Sequence, residues 1–153
     1  MSQGLKRKIE SAFKRYAQDN LTNDITVYES RDTDSRELPL YLFTASDLEI
    51  TEGFDHSHGE YTVSLSVSTL ANADDTTEEQ VDSYSQAIQE MMGDISSIRT
   101  DLNKPSGTDD RAVKDIYIYD IRLTSESIDT EERHWVGVET YEILCRNDNG
   151  DGS

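Results

Sequence analysis

The sequence predicts an α+β domain in which two helices pack on a mainly antiparallel sheet, in the order α-β-β-β-α-β-β. Three observations carry that prediction. Tyr61, Val63, Leu65 and Val67 alternate with Thr62, Ser64, Ser66 and Ser68, the period of two that marks a strand with one face buried. Two segments, Gly4–Gln18 and the run from Val81 to Met91, place apolar residues at helical spacing. The last third of the chain holds two further alternating runs with a polar connection between them. Strands and helices arranged this way form helices on a mainly antiparallel sheet rather than a doubly wound one.

The first helix, Gly4–Gln18, puts Leu5, Ile9, Ala12, Phe13 and Tyr16 on one stripe, with Lys6, Arg7, Lys8, Lys14 and Arg15 around it. Asn and Asp residues at 19–24 punctuate a turn, and Ile25–Ser30 reads as a short strand. Arg31–Glu37 is a charged loop. Pro39 opens the next strand, Leu38–Ile50, where a missing N–H is tolerated. Leu40, Leu42 and Leu48 share one parity while Tyr41, Phe43 and Ala45 share the other, so Leu38–Ala45 is expected to be covered on both faces. A polar loop, Thr51–Gly59, leads into the strand Glu60–Leu70. Ala71–Thr77 is a linker with a helix-start signature: Thr76 with Glu79, or Thr77 with Gln80, makes a capping box.

The second helix carries Val81, Tyr84, Ala87, Ile88 and Met91 on one stripe and ends near Gly93. Ile95, Ile98 and Leu102 either extend it or pack a following turn. Lys104–Arg111 is an exposed loop. In Val113–Leu123, Tyr117, Tyr119, Ile121 and Leu123 alternate with Ile116, Ile118, Asp120 and Arg122. Thr124–Glu132 is read as a projecting loop, and Arg133–Cys145 as the final strand. Residues 1–146 form one domain, and 147–153 an acidic flexible tail. At 153 residues, such a domain buries roughly 70% of its unfolded surface. No internal repeat is present.

Acidic residues number 32 against 14 basic, a formal charge of −18; Asp (18) exceeds Glu (14) and Arg (9) exceeds Lys (5). Five of the basic residues sit in the first helix, so a basic helix rides on an acidic body. The acids are dispersed among periodic segments, which argues against disorder. One reading is adaptation to molar salt, where the Debye length is about 3 Å and self-repulsion is screened; the other is an ordinary acidic surface. Broad-surface binding to DNA needs clustered Lys and Arg and is disfavoured. No run approaches the roughly 18 apolar residues of a membrane span, and no apolar stretch follows the basic start, so neither membrane attachment nor a secretory signal is expected. A lone Cys145 excludes an internal disulfide framework.

Catalytic patterns are missing. The sequence has no phosphate-binding glycine loop. His56 and His58 project the same way on extended chain, yet no third ligand stands at a recognisable spacing, so they read as part of a solvated loop rather than a metal site. Cys145 and His134 have opposite parity on one strand, and Cys145 reads as a core residue. No catalytic, cofactor or metal residue is assigned and an enzyme is not expected. The candidate contact residues are Lys6, Arg7, Lys14 and Arg15 on the basic helix, Arg31, Arg36, His56 and His58 in loops, and the hydroxyl row Thr62, Ser64, Ser66 and Ser68.

The whole pattern resembles a known family. A short helix and the strand Ile25-Thr-Val-Tyr28 precede Leu38-Pro39-Leu40-Tyr41-Leu42; a polar loop ending His58-Gly59-Glu60 runs into Tyr61-Thr-Val-Ser-Leu-Ser-Val67; an acid-capped helix and a two-strand hairpin follow. Over about residues 3–146 this resembles the tail terminator (tail completion) proteins of long-tailed bacteriophages and archaeal tailed viruses. The resemblance implies a homohexameric ring on the tail tube, with the tube protein and a head-completion or connector protein as partners. It implies that the ring stops tube polymerisation and passes genomic DNA through its lumen, in a virion neck assembled in the host cytoplasm. The acidity exceeds the pattern of the family and points to a halophilic host. Another neck component, such as a stopper protein, and a cellular binding domain or small enzyme are the alternatives.

Overall fold

A computed structural model describes residues 5–22, 25–29, 38–52, 60–102 and 116–147. The elements are α1 (Leu5–Asn20), β1 (Thr26–Glu29), β2 (Leu40–Glu52), β3 (Glu60–Asn72), α2 (Glu78–Gly93), α3 (Ile95–Leu102), β4 (Ile116–Glu131) and β5 (His134–Asn147). The five strands form one sheet in the order β1-β2-β3-β5-β4. Only the β1–β2 pair is parallel; the other three are antiparallel. The predicted α+β class holds, with a third helix added.

That third helix follows from one residue. Gly93 ends α2, and the Asp94 N–H bonds the Met91 carbonyl while its Oδ1 accepts from the Ser97 N–H. Asp94 thus closes one helix and caps the next. At the other end of α2 the capping box takes the Thr77–Gln80 register: Thr77 Oγ1 accepts from the Gln80 N–H and Gln80 Oε1 from the Thr77 N–H. Trp135 Nε1 donates to the Thr76 carbonyl at 2.9 Å and ties this helix start to β5.

The core lies between one face of the sheet and the helices. Ile9, Phe13 and Ala17 of α1, Ile88 and Met92 of α2, and Ile98 and Leu102 of α3 meet Tyr41, Phe43, Tyr61, Val63, Leu65, Val67, Ile143 and Cys145. Along β3 burial alternates without a break, the hydroxyl row being half-buried on the opposite face. On β2 the expectation of two covered faces is met only at Leu40; Leu42 and Thr44 are half-buried. Among the described residues no helix is long and apolar enough to cross a membrane.

Three sequence expectations are corrected. Thr124–Glu132 is not a loop: β4 runs unbroken to Glu131 and only Glu132-Arg133 turns the chain. β4 is an edge strand, exposed from Arg122 to Ser127, so it carries no buried-face alternation from which a strand could be read. Ala71 and Asn72 continue β3, and Thr51 and Glu52 continue β2, rather than lying in the linker and loop. Finally, the β4 alternation is broken by register shifts between Ile118 and Asp120 and between Leu123 and Ser125. The first puts Ile118 and Ile121, of opposite predicted parity, together in the core. The expected loop 104–111 and residues 53–59, 30–37 and 148–153 lie outside the described residues.

Candidate contact surfaces and a buried carboxylate pocket

The predicted contact residues fall on two separate surfaces. α1 packs on β1 and β2 and leaves Lys6, Arg7 and Arg15 exposed, with Lys14 half-buried. This helix is anchored by an acid: Glu10, 2% exposed, accepts from the Ala45 N–H at 2.8 Å through Oε2 and from Arg7 Nη1 at 3.2 Å through Oε1. Ala45 stands where the β2–β3 register shifts, so Glu10 satisfies an N–H beside the irregularity. Lys6 Nζ reaches the Ser46 carbonyl at 3.4 Å.

Thr62, Ser64, Ser66 and Ser68 lie on the opposite face of the sheet, in register with Leu144, Glu142, Thr140 and Val138 of β5. Ser66 and Thr140 share a hydroxyl–hydroxyl hydrogen bond of 3.3 Å. At one end of this face Leu38, Leu70, Glu132, His134 and Val136 line an open hollow of about 330 Å³. The surface is a mosaic of small hydroxyls and aliphatic groups, with Glu132, His134 and Glu142 among them. Arg31, Arg36, His56 and His58 lie outside the described residues.

A third site was missed by the sequence reading. Glu139 of β5 is 1% exposed, and neither carboxylate oxygen has a hydrogen-bond partner. Burial, with the neighbouring Glu126 charge, pushes its pKa up to about 7, against the pull of nearby Ser85 and Gln89. Asp82, Ser85, Glu126, Ser127, Ile128 and Glu139 line a cavity of about 260 Å³ between α2 and the β4–β5 hairpin. The second β4 register shift builds this site, because it places Glu126 directly opposite Glu139. Gln89 Nε2 donates to Glu126 Oε2 and holds that carboxylate in place. Gly137 leaves room beside it: a Cβ there would lie 3.1 Å from Ser85 Oγ. A signal was present in the sequence, since Glu139 has the same parity as Tyr141, Ile143 and Cys145.

Among the described residues no three His, Cys, Asp or Glu side chains converge as a metal site would require. Cys145 is fully buried with its thiol pushed up by desolvation, and His134 is half-buried on the other parity, so the two do not form a nucleophile–base pair.

No protein-family model matches this sequence. No curated protein matches it either. Solved structures do. A chain from the structure described as "Virion of native gene transfer agent (GTA) particle" superposes with a TM-score of 0.58 at 8% identity, covering 94% of this chain and 95% of that one. The two chains share a fold over nearly all of their lengths. At that identity the likeness concerns the fold alone.

Proposed function

We propose that this chain is a structural virion protein, and that within the virion it is the tail terminator: a homohexameric ring that caps the tail tube, halts its polymerisation and receives the head connector, with DNA passing through the lumen. The observation that carries the reading is the full-length fold shared with a chain of a gene transfer agent virion. The basic α1 on an acidic body, the open hydroxyl face and the lean core, with 34% hydrophobic residues, all suit a subunit that gains stability from its neighbours. The role is structural rather than catalytic, and the acidity suits a virus of a halophilic host, with assembly in that host's cytoplasm.

Two measurements test the reading. In molar salt the purified chain forms a species of about 104 kDa, six copies of 17.3 kDa, with sixfold symmetry in projection images. Added to polymerising tube protein, it stops growth at one end. A strictly monomeric subunit in the particle, or a ring of another symmetry, would overturn the terminator role; tubes that grow on past it would point to a different neck component.

A further inference from the structure

The pocket between α2 and the β4–β5 hairpin holds more hydrogen-bonding capacity than its own walls satisfy. Ser85 Oγ and both Glu139 oxygens are buried without partners, and so is the nearby Thr69 Oγ1. Ser85 is 4% exposed and Glu139 1%. Buried polar groups are almost always partnered; a turn of the Ser85 hydroxyl can supply one bond to Glu139, and the remaining carboxyl lone pairs are open to a donor from outside. Three carboxylates, Asp82, Glu126 and Glu139, exclude an anion, and an apolar ligand would leave the buried carboxyl stranded. The cavity, about 260 Å³, has room for an ammonium or guanidinium head, whose N–H groups match these acceptors.

A source of that cation stands at the other end of the same chain. The pocket lies at the β4 end of the sheet, while α1 packs on β1 and β2 at the opposite end. A head-to-tail contact between copies brings the basic end of one against the acidic end of the next, and such heterologous contacts close into rings. We propose that the Glu139 pocket receives a lysine or arginine side chain from α1 of a neighbouring copy, an inference that rests on the ring reading above.

Docking carries a proton with it. Below about pH 7 Glu139 of a free subunit is neutral, and pairing with a cation requires the carboxylate, so the carboxyl proton leaves to solvent. Glu126 faces it from β4, Asp82, Ser85 and Gln89 from α2, and Val67 from β3. Association therefore strengthens as pH rises towards 7, by at most about tenfold per pH unit for one proton released.

The test is a set of double-mutant cycles on the full chain in molar salt, read by sedimentation or particle mass. Lys6, Arg7, Lys8, Lys14 and Arg15 are each changed to Gln, in the wild type and in Glu139→Gln, with circular dichroism to verify folding. Glu139→Gln is expected to flatten the dependence of association on pH between 5 and 7. One α1 change weakens wild-type association by about tenfold and the Glu139→Gln protein by less than about twofold. Rings that form equally well with Glu139→Gln, or α1 changes that act alike in both backgrounds, overturn the pocket assignment and leave the ring reading intact. A wild type that stays monomeric at every salt concentration and pH overturns both.

Discussion

A single buried carboxyl group sets a pH dependence on the fold itself. Glu139 is neutral in the folded subunit up to about pH 7 and has an ordinary pKa of 4.5 when unfolded. Its contribution is fully present below pH 4.5 and is lost as pH rises through 7. At pH 8 the Glu139→Gln monomer is expected to be more stable than the wild type by on the order of 2 kcal/mol, less than the full rise implies because the open pocket admits solvent. At pH 4 the two proteins should unfold at similar urea concentrations. A wild type that gains stability from pH 4 to 8 relative to the variant would contradict this assignment. A second residue is strained by backbone: Glu132 has a φ of 56° in a two-residue hairpin turn, a position where glycine is at ease. Glu132→Gly is expected to raise stability by about 0.5 kcal/mol, measured by the same urea titration at constant slope.

Among the elements, α1 is tied to the sheet through a buried acid. Glu10 couples the helix to the backbone of β2 at Ala45. Replacing it by Ala strands a partly buried N–H and should cost about 1–2 kcal/mol. Glu10→Gln keeps an acceptor and should cost roughly half as much. Equal losses in the two variants, in thermal or urea unfolding, would mean that charge rather than the hydrogen bond matters. The elements also mark how far the sequence could be read. β3 was legible because one face is buried and the other is not, so side-chain type repeats the pleat. The end of β4 was illegible because an edge strand held by backbone pairing to β5 imposes no apolar period. Its register shifts scrambled the parity that would have put Glu126 beside Glu139. The acid at Glu139 stood in a buried register, but a charge there reads as noise until the opposing helix residues, Ser85 and Gln89, are brought against it. Nor does any local pattern state that β5 inserts between β3 and β4. The basic cluster of α1 was legible because clustering is itself a sequence property, while its role as a contact is a matter of proposal.

For the whole molecule the governing quantity is a formal charge of −18. Six copies carry −108, six times that value. At 0.01 M salt the repulsion reaches about 30 Å and each subunit feels its neighbours' entire surfaces, whereas at 1 M it shrinks to about 3 Å. Burial of apolar groups is undiminished by salt and is strengthened by excluded anions. The proposed ring, and the fold with it, is therefore expected to loosen as salt is withdrawn and to recover on its return. Circular dichroism and particle mass from about 0.01 to 3 M salt provide the check. Equal stability at both ends would remove the argument for a halophilic host.

The unequal margins of the sheet bear on a different hazard. β1 offers four residues at one margin and β4 sixteen at the other, so head-to-tail backbone pairing of β1 on β4 of the next copy could span only about a quarter of β4. Pairing of β4 with β4 of a second copy is the remaining hazard, as for any long strand margin, and it would close as a dimer because each copy has one such edge. Two kinds of guard oppose it: charges at Arg122, Glu126 and Asp129, and the two irregularities that bend the strand. At molar salt the charges would be screened, leaving the irregularities of the strand to oppose that pairing.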